Sequence, residues 1–180
     1  VMLIFVPAAR IADIYARASF SDGFGKAKFK AGVQIDTRRV ELKGGKVEAV
    51  LAAADGNTVA AGTLDIPDVA ENGRRVVKFE SGVDAPRLWS SEDPYLYRLT
   101  VTLYDAEGKE TDRRSINFGF REVKIMPKRG DQDPVILLNG KKLKIRGVNR
   151  HEFHPEYGHA VPADIIEKAL VLMRRNNINS

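Results

Sequence analysis

VILLNGKKLKIRGVNRHE, residues 135–152, decides how this chain folds. Asn139-Gly140 stands between two apolar runs, and this dipeptide readily supplies the two positive-φ residues of a tight β-hairpin. The second run, 143–148, reads as a strand and empties into Asn149, Arg150, His151 and Glu152. Beyond that polar loop, Pro162 and Asp164 precede IIEKALVLMRR, where Ile165, Ala169 and Leu172 recur beside Ile166, Leu170 and Met173 at helical spacing. Arg174 and Arg175 suit the negative end of a helix dipole, and Asn176-Asn177 supplies the stop. Hairpin, strand, polar loop and helix make one βα unit with nothing to follow it. A lone unit cannot bury its strand on both faces, whereas a barrel of eight does, and barrels carry their chemistry at the C-terminal ends of the strands.

Upstream the texture differs. In KAKFKAGVQI, residues 26–35, Ala27, Phe29, Ala31, Val33 and Ile35 alternate with Lys26, Lys28, Lys30 and Gln34, the period-two pattern of a half-buried strand. The lysines on the wet face serve solubility and block edge pairing. The same alternation recurs at 14–20, 46–53, 75–80 and 95–105, separated by the turn signals SDGFG, KGG, ADGN, ENG and DAEG. This spacing predicts an antiparallel sandwich. PKRGDQDP, residues 127–134, is the polar break that separates the sandwich from the βα unit.

An apolar fraction of 43% and a charged fraction of 29% describe a globular chain able to build a core. The longest apolar opening, VMLIFVP, is far shorter than the ~18 residues of a spanning helix and lacks a signal peptide's basic flank, so it reads as a strand and no membrane partner is expected. Beginning on Val1, the chain is expected to have lost its natural N-terminus; its compartment, cytoplasmic or periplasmic, is not legible. Without cysteine there is no disulfide framework. The net charge of +5 invites a polyanion, but no aromatic residues interleave with the strand lysines to stack bases, so no nucleic acid is expected.

All three histidines fall within residues 151–159, HEFHPEYGH. Three readings compete: a metal site, a sugar or anion pocket, and a solvated loop. Metal fits poorly, because zincin histidines stand at i and i+4 on one helix face, whereas His151 and His154 are three apart and Pro155 follows. A solvated loop is compatible with every residue type present. A sugar pocket fits the position at a strand's end, with His151 able to donate from its ring and Asn149 offering a donor and an acceptor. Elsewhere, Trp89 reads as a core residue locking the sandwich, and Tyr95 and Tyr97 as packing on one strand face. KGGK is too short for a phosphate loop.

PRLWSSEDPYLYRLTVTL, GFREVKI, LLNGKKLKIRGVNRHEFHPEYG and LMRRNNINS, in that order, resemble glycoside hydrolase family two, and within it the β-galactosidases, whose loop NRHE followed by HP matches most closely. The resemblance implies a mainly β chain: an immunoglobulin-like antiparallel β-sandwich followed by a hairpin and the first βα unit of a truncated (β/α)8 barrel. Residues 1–7 would end a preceding sugar-binding-like domain, 8–126 form the sandwich, and 127–180 begin the catalytic barrel, proper from Val135. His151 inherits the role of reaching the galactose subsite and stabilising the transition state; Asn149 borders it as a substrate-binding residue, with Arg150 and Glu152 behind.

The family's acid/base and nucleophile glutamates, and its magnesium ligands, would lie beyond Ser180. No catalytic residue and no metal ligand is therefore expected in this chain, although magnesium is expected in the whole enzyme. That enzyme would hydrolyse terminal non-reducing β-D-galactose residues with retention, taking a β-galactoside as its partner and assembling as a homo-oligomer. This chain alone would be inactive and would self-associate. The alternative is a non-catalytic sandwich module that binds carbohydrate or protein.

Overall fold

The computed structural model describes residues 5–127 and 133–180. They form two compact units, residues 1–122 and 123–180. The first contains β1 (Ala9–Ser21), β2 (Lys26–Thr37), β3 (Lys46–Ala52), β4 (Thr58–Asp65), β5 (Arg74–Asp84), β6 (Tyr97–Tyr104) and β7 (Glu110–Phe118). The second contains β8 (Val123–Met126), β9 (Val135–Leu138), β10 (Lys141–Lys142) and α1 (Ala163–Arg175). Among the described residues no helix is long and apolar enough to cross a membrane.

The first unit is the expected immunoglobulin-like sandwich. One sheet has the order β1-β2-β5 and the other β4-β3-β6-β7, with every pairing antiparallel. The alternation in β2 delivers Phe29, Val33 and Ile35 to one face, and all three are fully buried. Val47 and Leu51 from β3 and Leu99, Val101 and Leu103 from β6 complete the core from the opposite sheet. Phe118 meets Phe29 and Phe120, and Tyr97 meets Phe120, edge to face with ring centroids 4.9–5.0 Å apart, the geometry that the aromatic quadrupole favours, while Phe29 and Phe120 are tilted at 6.0 Å. Gly62 makes room for this cluster's neighbour: a Cβ there would stand 2.8 Å from the Phe79 ring.

Three expectations change. The lysines of β2 guard no edge, because β2 is the central strand of its sheet; Lys28 and Lys30 instead clasp Glu80 of β5 at 2.9 and 2.7 Å. Tyr95 lies outside β6, yet it packs, its ring 5.1 Å from that of Tyr97 and its hydroxyl accepting from the Ala54 N–H at 3.0 Å. Tyr97, buried at the start of β6, accepts from the Arg87 N–H at 2.9 Å, the tyrosine corner of immunoglobulin-like domains. Burial away from water pushes its phenol pKa up. Trp89 is not in the core: it is half-buried, with the Arg121 guanidinium 4.6 Å above its ring.

In the second unit, β8 pairs antiparallel with β9 from Val123↔Leu138 to Met126↔Val135, so residues 123–126 join the hairpin although the sequence placed them with the sandwich. Most of the polar break between these strands falls outside the described residues. The hairpin turns as its sequence requires, with Asn139 at φ 50° and Gly140 at φ 74°. Residues 143–149, expected as a strand, form no regular ladder: after Leu143 N, which donates to the Ile136 carbonyl at 2.8 Å, they lack a continuous paired neighbour among the described residues. They are not alone, however. Asn179 N donates to the Arg146 carbonyl at 2.9 Å, Val148 N to Ser180 O at 3.1 Å, and the Asn179 amide bridges Lys144 O and Arg146 N. Residues 179–180 thus run beside 144–148 in the same direction through a few hydrogen bonds, although neither stretch is a regular strand.

Helix α1 ends as expected, with Arg174 and Arg175 in the last turn, Asn176 as cap and Asn177 left-handed at φ 59°. Its apolar stripe is divided. Ile165, Ile166, Ala169 and Met173 are half-buried, while Leu170, Val171 and Leu172 are exposed.

Candidate functional site

The segment 144–148 carries the chain to Asn149, Arg150, His151 and Glu152, where the sequence placed the sugar-binding residues. Arg150 and Glu152 consume each other, Nη2 to Oε2 at 3.0 Å. Asn149 and His151 are exposed, and neither side chain makes a hydrogen bond among the described residues. Both are thus presented with their full donor and acceptor capacity.

The other two histidines do different work. His154 N donates to Gly158 O and Gly158 N to His154 O, each at 2.9 Å, closing Pro155, Glu156 and Tyr157 into a turn that Gly158 completes at φ 54°. Within it the Glu156 N–H donates to His154 Nδ1 at 3.2 Å, and the Tyr157 ring packs 5.0 Å from the imidazole. Nδ1 is therefore an acceptor, and the proton of neutral His154 sits on Nε2. His159 has the opposite tautomer: its Nδ1 lies 2.9 Å from the Glu152 carbonyl, which can only accept. That bond, with the Phe153 and His159 rings 5.6 Å apart, ties the end of the loop to its beginning.

Two histidines thus build the loop and one is presented by it. Sequence reasoning missed the ion pair and both histidine bonds, and it missed Asn179, whose amide fixes the strand that carries the loop. The signal for the ion pair was the opposite charge two residues apart in an extended stretch; nothing in the sequence announced which histidine would remain. Among the described residues no three His, Asp or Glu side chains converge to hold a metal ion.

Comparison with known proteins agrees with both units. Glycosyl hydrolases family 2 matches residues 9–121, and the TIM barrel domain of that family matches residues 131–180. Similar solved structures include a glycosyl hydrolase family 2 member from Bacteroides cellulosilyticus, at 21% identity and a TM-score of 0.83 over 97% of this chain and 23% of that one. A protein of Bacteroides fragilis provisionally named a β-galactosidase aligns at 22% identity and a TM-score of 0.79, over 93% of this chain and 25% of the other. The β-glucuronidase 2 of Bacteroides uniformis aligns at 21% identity and a TM-score of 0.80, over 94% and 20%. At these identities the likeness shows the fold, and the chain spans about a fifth to a quarter of the length of each.

Proposed function

This chain belongs to glycosyl hydrolases family 2, and we propose that it is the immunoglobulin-like domain and the opening of the catalytic barrel of a retaining β-galactosidase. The observation that carries the reading is the division of labour in the loop: His151, first histidine of NRHE, is the one left exposed and unbonded. In this reading His151 donates from its ring to a galactose oxygen, and Asn149 gives an amide donor and acceptor to neighbouring hydroxyls. Such a donor speeds the reaction only if its bond tightens as charge develops in the transition state.

Retention requires two carboxyl groups ~5 Å apart, one to protonate the leaving oxygen and one to form the glycosyl-enzyme. The family resemblance puts neither Glu152 nor Glu156 in those roles, and Glu152 is paired with Arg150. The proposal places both carboxylates, with the ligands of a magnesium ion, on parts of the whole enzyme outside this sequence. The 180-residue chain by itself turns over no aryl glycoside.

The test is the whole enzyme assayed on an aryl β-galactoside and an aryl β-glucuronide. Faster turnover of the galactoside is expected. Preference for the glucuronide would overturn the galactosidase reading and leave the family assignment standing, in line with the structural likeness to β-glucuronidases. We further propose that this chain self-associates through apolar side chains such as Ile125, Leu170 and Leu172, which are exposed here, and that the intact enzyme is a homo-oligomer. Light scattering that finds a monodisperse monomer at all concentrations would remove the self-association proposal.

A further inference from the structure

On the sandwich unit a surface cleft of about 460 Å³ lies beside Trp89, within the size range of small-ligand sites. Arg17, Asn117 and Arg121 line it, and no acidic side chain among the described residues does. Several other arginines are spoken for by carboxylates: Arg74 by Asp36, Arg87 by Asp93, Arg113 by Glu110. Arg17 and Arg121 have no such partner among the described residues. Arg121 is held instead by an aromatic face, its guanidinium 4.6 Å above the Trp89 ring. A cation positioned by a ring keeps its fork of N–H donors for something else.

The ring is itself held in place. Trp89 N donates to the Phe120 carbonyl at 2.9 Å, and a Cβ on Gly119 would stand 2.9 Å from the Trp89 Cβ and 3.0 Å from its Cγ. Only glycine at 119 lets the indole sit against this strand end. The platform is therefore a built feature: glycine admits the indole, the indole orients one arginine, and a second arginine from β1 faces the same cleft with an amide beside it.

We propose that this cleft is a non-catalytic binding site for an anionic glycan residue, whose carboxylate or sulfate is held by Arg17 and Arg121 while Asn117 hydrogen-bonds an adjacent hydroxyl. Planar guanidinium forks match both oxyanions in two-point geometry, and a cleft without carboxylates exerts no opposing charge. Such a site would hold an acidic polysaccharide on the sandwich, and it stands whether the enzyme cleaves galactosides or glucuronides.

Calorimetric titration of the chain with digalacturonate, galactose 6-sulfate and neutral galactobiose tests the proposal. Saturable binding of an anionic probe is expected, with galactobiose at least about tenfold weaker. Tighter binding of digalacturonate identifies the carboxylate as the natural group, and tighter binding of the sulfated sugar identifies the ester; either outcome supports the site. Arg17→Gln and Arg121→Gln should each weaken the anionic probe about tenfold or more at unchanged thermal stability. A double Arg38→Gln/Arg39→Gln variant, altered in a different cleft, should bind like the parent. Equal binding of galactobiose, equal loss in the Arg38/Arg39 control, or no heat with any probe would each overturn the proposal.

Discussion

The two units use apolar residues in opposite ways. In the sandwich, Phe29 and Phe120 are at 0% exposure, because two sheets close over each other within one stretch of chain. In the second unit, Ile125 is 71% exposed, Leu172 62% and Leu170 55%, and α1 has no buried residue. The difference lies in architecture, not composition. A sandwich supplies its own second layer, whereas a barrel strand and its helix are each covered by neighbouring units. Apolar patterning therefore records a core in one region and a surface awaiting cover in the other.

The sharpest way to break that comparison is to truncate one side chain from each region. Phe29→Ala should cost about 3–5 kcal/mol in urea unfolding, the range for a buried phenylalanine that leaves a cavity. Leu172→Ala should change stability by less than about 0.5 kcal/mol in dilute solution, as exposed substitutions do. A penalty for Leu172→Ala that grows with protein concentration would mean that another copy covers α1. A concentration-independent penalty near that of Phe29→Ala would defeat the contrast.

The order reverses for activity. In the whole enzyme His151→Ala is expected to lower kcat/KM by more than about tenfold, equivalent to ~1.4 kcal/mol or more of transition-state stabilisation. His159→Ala, which removes a loop bond, should cost less. Equal losses from both would show that the histidines act on one shared centre, against the division of labour between a presented ring and two that build the loop.

What the sequence revealed follows the same divide. The interior strands β2, β3 and β6 were legible because neighbours on both sides force strict alternation on them, and the edge strands β1 and β5 were legible because their inner faces carry large core residues such as Ile11 and Phe79. β4 and β7 were missed. They are the edges of the four-stranded sheet, and their small residues (TVAAGTLD) and charges (ETDRRSINF) answer to solvent as much as to the core. The Asn139-Gly140 turn was legible because its demand is local. The run at 143–149 looked like a strand because of its apolar residues, but a ladder is a property of neighbours, and among the described residues only Ile136 and residues 179–180 bond its backbone. For the candidate site, the loop was singled out by position and motif. Which histidine it presents depended on backbone bonds four to seven residues away, which leave no mark in composition.

Smaller effects sharpen the comparison further. Tyr97→Phe deletes the acceptor for the Arg87 N–H while keeping the buried ring, and should destabilise the sandwich by about 1 kcal/mol, the worth of one such bond. Tyr157→Phe, whose hydroxyl makes no bond among the described residues, should leave unfolding unchanged. If both substitutions are silent, the tyrosine corner contributes nothing here and the sandwich rests on packing alone.

The smallest effect is electrostatic. Hydrogen bonds from Lys30 and Lys28 bring the Glu80 carboxyl from its usual 4.5 down to about 2 in the folded chain. A carboxyl with a depressed folded pKa binds protons more readily in the unfolded chain, so its stabilisation is complete above pH 4.5 and is lost as pH falls toward about 2. Asp36 is lowered in the same direction by its bond from Arg74, adding a loss below its ordinary 3.8. Both carboxylates lie on the β1-β2-β5 sheet, so acid acts on the sandwich. Glu80 is 41% exposed, and salt weakens its ion pairs. Thermal unfolding from pH 5 down to pH 2 should therefore fall more steeply for the parent than for Glu80→Gln, with the gap narrowing at high ionic strength. Parallel curves at low salt would show that the Lys–Glu–Lys clasp on the central strand carries no stability, and that the lysines of β2 do serve solubility alone.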